Sequence, residues 1–500
     1  MDQIRQFVFC INEDDPDVPI CVFKVPNSLR ASNPEAYIPQ IVGLGVLHHS
    51  RAETEAMQMY KLKVATNVHG GFKSIQFLEL LMGVEKLVPY IRASYQTYLP
   101  QDPGEITFVM AIDGLFLFKL LCSYGIRKDA LASSEFLRRL ADPGDVRLQQ
   151  DGILRDTMML ECQIPILVLK TILFMECSET RTIVKEYLPQ LLLGYCKALS
   201  PLKVLEKYPN SAALKHAHLL DLLYHLIVLK EPPEEEPVLE VVLEQVAEGP
   251  QRRSDLPGEA VNLLASLALP QGIRKPIELL QGLLNLPWSS LDILSSSTGN
   301  TAPVVEERLV PTASNLCFVG VKFFSVERIS AIGFDCATTS LKLPNIKLSV
   351  NSEVILRNLV AFEVMSIPES KPLIFTRYFE LMNGIIKTAK DVAVLKKHGI
   401  IETDQSIEND DQVAKIFGGS KLPAAVRSAN APDLDKLIKD VNSYYNGLRR
   451  VKAYKFINKC GFTLWRVGKV VVIILLFSLL ALQATCSVYG GCPRIFRNNN

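Results

Sequence analysis

The chain has 500 residues, with 54 Lys and Arg against 53 Asp and Glu, a net charge of +1. That balance excludes a global basic field for nucleic acid and a long acidic disordered chain. With 48% hydrophobic and 21% charged residues, the chain can bury a substantial core, and its length allows two to four domains or one large domain with attachments.

Residues 19–25 read as a short strand ended by Pro26. Residues 53–66 and 74–95 show helical spacing. In the second, Phe77, Leu78, Leu80, Leu81, Val84, Leu87, Val88 and Ile91 form one broad apolar face, which suits a buried helix. Residues 106–122 and 154–176 are strongly apolar and predict core helices, the second kinked or restarted at Pro165. Amphipathic helices follow at 183–198 and 212–229. Residues 231–237, with three prolines and like charges, cannot be regular, and 289–301 is a serine-rich linker. The pattern turns β-like at 317–324, 328–334 and 341–343, then helical at 354–364, 379–397 and 433–459. No fixed-period repeat is present, which argues against a solenoid.

The fold class expected is mainly α: a multi-helix bundle with a small β-element around 310–345 and one C-terminal transmembrane helix. The organisation read from the chain is a tail (1–18), a helical half (19–230), a variable linker-rich region (231–305) and a second half with short strands and helices (306–460). A basic segment (461–469), the span (470–490) and a short tail (491–500) complete it.

The span runs from Val470 through Leu476 and Leu482 to Tyr489. Twenty helical residues cover about 30 Å, the hydrocarbon thickness of a bilayer. Its Val, Ile, Leu and Phe residues together favour insertion by about 3–7 kcal/mol. It also accounts for much of the mean hydropathy of +0.17. Arg449, Arg450, Lys452, Lys455, Lys459, Arg466 and Lys469 lie upstream, against Arg494 and Arg497 downstream. Lys and Arg resist translocation, so the body is expected in the cytosol, tethered to a plasma membrane or endomembrane. Trp465 and Tyr489 suit the two interfaces.

Eleven scattered cysteines without a Cys-x-x-Cys pair point to reduced thiols, and Cys486 and Cys492 are candidates for S-acylation. The apolar run 7–11 is too short for a cleavable leader, and no Asn-x-Ser/Thr sequon occurs, which agrees with a cytosolic body.

No P-loop, nucleophile elbow or His-Glu-x-x-His motif is present. Gly43-Leu44-Gly45 lacks the third glycine of a dinucleotide fingerprint. Three clusters remain. His218, Asp221 and His225 fall on one face of the predicted helix 212–229, where they could hold a metal or simply be polar positions of a packed helix. His48 and His49 are adjacent and point different ways in regular structure. Asp113-Gly114 places a carboxylate in an apolar run, as a catalytic acid or as a buried acceptor for backbone donors. No catalytic, cofactor or metal residue is assigned.

Several motifs in order give the chain a resemblance over almost its whole length. They are Tyr37-Ile38-Pro39, Gly43-Leu44-Gly45 with His48-His49, and Met57 with Lys61; Asp113-Gly114-Leu115-Phe116; Glu161-Cys162-Gln163-Ile164-Pro165; and His218-Leu219-Leu220-Asp221. Arg357-Asn358 with Glu363, Tyr378 with Asn383, and Asn442 with Asn446 follow. The chain resembles the plant domain-of-unknown-function 247 family, also called the UPF0481 type. Gln58, Val46 and Ser50 depart from its usual acid, proline and glycine. The resemblance implies a plant protein with a mainly helical body, one C-terminal membrane helix and no established catalytic activity. Some grass members are associated with self-incompatibility.

The function expected is a membrane-anchored interaction or signalling module, displaying loops and the region 231–301. Its partners would be a lipid bilayer and other proteins, with no nucleic acid and no cofactor. The alternatives are a membrane-bound enzyme using Asp113, Glu161 or the His218 face, and a lipid-surface regulator using 449–469.

Overall fold

The computed structural model describes residues 19–72, 75–125, 151–176, 183–231, 310–368, 370–418, 431–448 and 474–484. The first half is built on helices α1 (Glu55–Gly70), α2 (Phe77–Glu85), α3 (Val88–Ser94) and α4 (Pro103–Gly125). Then come α5 (Asp151–Thr157), α6 (Ile166–Glu176), α7 (Leu188–Leu199), the single turn α8 (Asn210–Ala213) and α9 (Leu219–Val228).

Helix α4 is the centre of this half. Asp102 caps it by accepting the Glu105 N–H at 2.9 Å, and Pro103 sits where a missing N–H costs nothing. It is apolar around its whole circumference, with Ile106, Met110, Leu115, Phe116 and Phe118 buried. A helix with no polar face must be surrounded, and α1, α2, α6 and α7 all pack on it.

Prolines divide the apolar stretches. The predicted helix 74–95 is two helices, because Pro89 lacks an N–H and stands in the first turn of α3. Pro165 restarts the chain as expected. The direction changes by 85° between α5 and the stretch that starts at Leu160, which passes through a 3-10 turn at Leu160–Cys162 before α6 begins at Ile166. The predicted helix 183–198 is a π turn (Ile183–Tyr187) leading into α7. The predicted helix 212–229 is also broken, into α8 and α9, with residues 214–218 between them outside helix.

The second half starts with α10 (Ala313–Phe318), so the strand expected over 317–324 begins only at β1 (Lys322–Val326). Gly320, at φ +91°, makes the turn between them. β2 (Gly333–Asp335) and β3 (Ser340–Pro344) complete a three-stranded sheet of order β1-β3-β2. β1 runs parallel to β3, and β2 antiparallel to it. β4 (Ile346–Leu348) pairs in parallel with β5 (Ile401–Thr403), a sheet that three-residue strands hid from periodicity.

Helix α11 (Ser352–Ser366) contains the expected 354–364, and the expected 379–397 is two helices, α12 (Ile374–Ile385) and α13 (Ala389–Lys397). A capping box between Thr388 and Asp391 starts α13. Helices α14 (Asp410–Gly418) and α15 (Pro432–Gly447) follow, and the part of the expected helix 433–459 beyond 448 lies outside the described residues. The predicted strand 19–25 reduces to one bridge, Val22 with Tyr95.

One continuous apolar core contains residues from Cys21 to Val441, so both halves share an interior. Helix α11 packs against α9, α12 and the turns Pro34–Tyr37 and Leu160–Cys162. Among the described residues one unbroken helix, Pro103–Ser123, is long and apolar enough to cross a membrane, and it is largely buried within the body. A shorter apolar helix, α16 (Ile474–Ala484), is exposed along its length and carries Leu476 and Leu482. Val470, Tyr489, Trp465, Cys486, Cys492 and the region 232–309 lie outside the described residues.

Gly114 marks where α4 and α6 touch. A Cβ there would lie 2.7 Å from Ile172 Cδ1 and 3.2 Å from Val168 Cγ1. Gly114→Val should therefore lower the unfolding free energy by about 1–3 kcal/mol in urea denaturation. Gly70→Ala, with nothing within 4 Å of the new methyl, should change it by less than about 1 kcal/mol.

Candidate functional site

Residues 20–50 enter the core with almost no regular secondary structure. Their buried N–H groups need acceptors from elsewhere in the chain. Three buried carboxylates supply them. Asp156, at the end of α5, accepts the N–H groups of Gln40, Ile41 and Val42 on one oxygen, at 3.0, 2.6 and 3.0 Å. Glu161 accepts the Val25 N–H at 2.7 Å and His48 Nε2–H at 3.0 Å, and pairs with the Arg30 guanidinium. Asp113, midway along α4, accepts the Gly45 N–H at 2.9 Å on Oδ2 and the Lys61 ammonium at 2.5 Å on Oδ1. Lys61 also donates to Gly43 O at 2.8 Å.

Two amides extend the network. Asn358 of α11 accepts the Leu160 N–H at 2.9 Å and donates to Ala36 O at 2.8 Å, so it ties the second half to both other segments. Gln163 donates to Thr157 O and Met159 O and accepts the Leu220 N–H at 3.1 Å, closing the bend before Pro165 around the start of α9. Arg357 holds Glu353 at 2.9 Å and reaches Ser32 at 3.3 Å. The two glycines of the loop have a steric purpose. A Cβ on Gly43 would lie 2.5 Å from His48 O, and Gly45 takes φ +70° to aim its N–H at Asp113.

The Lys61 and Asp113 side chains are each 1% exposed, so the pair is sealed from water. Burial alone would raise the Glu161 pKa. The hydrogen bonds from His48 and Val25 and the Arg30 charge outweigh it and hold the carboxyl below its ordinary value. Glu363 goes the other way. It accepts Tyr224 Oη–H at 2.7 Å and the N–H groups of Phe375 and Thr376 at 2.8 and 2.6 Å, in the first turn of α12, yet burial dominates and pushes it above its ordinary value.

Tyr378 and Asn383 are buried on α12, while on α15 Asn442 is half-buried and Asn446 exposed. His49 is half-buried beside the network, and burial lowers its pKa. Cys21 and Cys122 are free thiols whose pKa burial pushes up to about 12, so they are inert.

The histidine cluster differs from expectation. His218 is not on the helical face. It is the extended N-cap of α9, its Nδ1 accepting the Asp221 N–H at 3.1 Å. The ring is therefore the neutral tautomer, and Nε2–H donates to Cys21 O at 2.9 Å. Burial lowers its pKa further. His216 takes the place His218 was expected to fill: its Nδ1 lies 3.2 Å from Asp221 Oδ2, and His225 Nδ1 lies 2.8 Å from Oδ1. Burial opposes ionisation of Asp221, but the two imidazoles hold its pKa far below the ordinary range and raise that of His225. His216, Asp221 and His225 are the described residues whose ligand atoms converge, within 4.8 Å of one another. Periodicity missed His216 because it assumed one unbroken helix. The His-x-His pair ahead of an acid was the available signal.

A family model described as plant protein of unknown function, DUF247, matches residues 22–479. The chain belongs to this family. It is 32% identical to a putative UPF0481 protein of Arabidopsis thaliana across 96% of this chain and 92% of that protein. A second UPF0481 protein of that plant is 22% identical across 86% of this chain and 78% of its own length. No solved structure matches significantly. Of the residues that carry the sequence resemblance, His48, Lys61, Asp113, Glu161, Gln163, Asn358 and Glu363 each bind backbone or another buried polar group.

Lys61→Met removes the cation from a buried ion pair and leaves Asp113 with the Gly45 N–H alone, and should destabilise the protein by about 3–5 kcal/mol in urea unfolding. Adding Asp113→Asn should recover at least about 1 kcal/mol relative to the summed single costs. Because folding lowers the Glu161 pKa from 4.5, the unfolded chain takes up that proton first as the pH falls. The stability it contributes is complete above about 4.5 and is lost below it. Glu161→Gln should therefore be less stable at pH 7, and its stability should fall less steeply than wild type between pH 4.5 and the acid limit, read from midpoints across a pH series.

Proposed function

We propose that the chain is a single-pass, membrane-anchored plant protein whose helical body is an interaction module rather than an enzyme. The observation that carries this reading is α16. Ile474, Leu475, Leu476, Phe477, Leu479, Leu480 and Leu482 are 55–68% exposed, on every side of the helix. A helix apolar all round is stable when surrounded by apolar matter, which for α4 is the body and for α16 is a bilayer. The seven Lys and Arg residues between 449 and 469 set the body on the cytosolic side.

The non-catalytic reading is supported by how the carboxylates are used. Asp113, Asp156 and Glu161 are buried and committed to backbone amides and paired cations, so none offers a free acid or base to a substrate. Recognition then falls to the exposed loops and the variable region 231–301, with other proteins as partners.

Membrane fractions washed with alkaline carbonate should keep the full chain in the pellet, and a chain ending at Lys469 should be released. Protease added to the cytosolic face should digest the body. Full-length chain in the wash, or a protected body, would overturn the anchor or its orientation respectively.

A further inference from the structure

Tyr208, His216, Asp221 and His225 form a polar cluster that the buried network does not use. We propose that His216, Asp221 and His225 bind one divalent transition cation of the zinc class, with Tyr208 positioning the first ligand.

The donor set carries the chemistry. Two imidazoles and one carboxylate suit Zn2+ and its neighbours, and are too poor in oxygen for Ca2+ or Mg2+. Ligand atoms each about 2.1 Å from a common tetrahedral ion lie about 3.4 Å apart. Here His216 Nδ1 to Asp221 Oδ2 is 3.2 Å, His225 Nδ1 to Asp221 Oδ1 is 2.8 Å, and all three donors fall within 4.8 Å. Small rotations of the two rings therefore complete the shell.

The scaffold holds the ligands from both sides. Asp221 and His225 are one turn apart on α9. His216 lies on the preceding turn, which is fixed by the Ala217 N–H on Asp221 Oδ2 at 2.8 Å, by the Ile166 N–H on Ala217 O at 2.8 Å, and by the His218 cap. Tyr208 Oη is 2.7 Å from His216 Nε2, an outer partner that leaves Nδ1 facing the carboxylate. Without the ion, each His Nδ1–H donates to Asp221. With it, both ligating imidazoles are the Nε2–H tautomer, the single proton of each moving from Nδ1 to Nε2 by exchange with solvent, so that the Nδ1 lone pairs face the ion and His216 Nε2–H donates to Tyr208 Oη. The His225 side chain is 31% exposed, which gives the ion an entry and leaves room for water as a further ligand, whereas His216 and Asp221 are largely covered.

The test uses the full chain, purified in detergent, stripped with a chelator and titrated with Zn2+ or Co2+. One equivalent should bind, and Zn2+ should raise the thermal midpoint. The Co2+ complex should show visible bands without the near-ultraviolet thiolate bands that cysteine ligation would add. His216→Asn and His225→Asn put an amide donor in place of each imidazole and should each abolish uptake; the metal-free melt should fall, because the imidazoles favour the Asp221 carboxylate, but should remain one cooperative transition that Zn2+ no longer raises. Tyr208→Phe should weaken binding by about tenfold. No uptake, thiolate bands at one equivalent, or undiminished affinity in the His216→Asn/His225→Asn double variant would overturn the site. If the variants fail to fold, the stripped wild-type chain decides: a midpoint that Zn2+ does not move overturns it equally.

Discussion

A backbone N–H taken out of water without an acceptor costs roughly 1–3 kcal/mol, and the segment from Val22 to His48 brings several into the core with only single turns at Asn27–Arg30 and Pro34–Tyr37 and one bridge at Val22 for regular structure. The structure answers with carboxylates borrowed from α4, α5 and the turn that follows. Asp156 alone serves three consecutive amides. The irregular segment is thereby tied into the core, and everything packed on it depends on those acceptors being in register.

The same device recurs in the second half. Glu363 receives the first turn of α12, and Asp391 receives both the start of α13 and the Ser314 N–H and hydroxyl at the start of α10. A charge buried at a helix start satisfies donors that have no intrahelical partner and favours the positive end of the helix. Asn358 then joins the two halves, since one side chain touches Leu160, Ala36 and its own helix. A body assembled this way is tied together from inside, by polar groups drawn from distant parts of the chain.

Local rules placed much of this in advance. The apolar circumference of α4, the restart at Pro165 and the helical nature of α11 followed from hydropathy and proline chemistry. The failures have a common cause: interactions from distant residues overrode local pattern. Residues 19–25 alternate like a strand, but only Val22 finds a strand-like partner, because Glu161 takes the Val25 amide instead. The helix expected through 212–229 breaks because His218 leaves helical geometry to cap α9 and reach Cys21 O. Asp113 as a buried acceptor was legible from its apolar setting. Its partner Lys61 stood out only through the family motif, and Asp156 not at all, since an acid inside an apolar helical run carries no mark of the loop it will bind.

Native-state hydrogen exchange on the amides of Val25, Gln40, Ile41, Val42 and Gly45 tests the central claim directly. If carboxylates hold this irregular segment as part of the cooperative core, these amides should exchange only through global unfolding, at the rate of core amides in α4. Exchange at the pace of exposed loop amides, with α4 still protected, would contradict it.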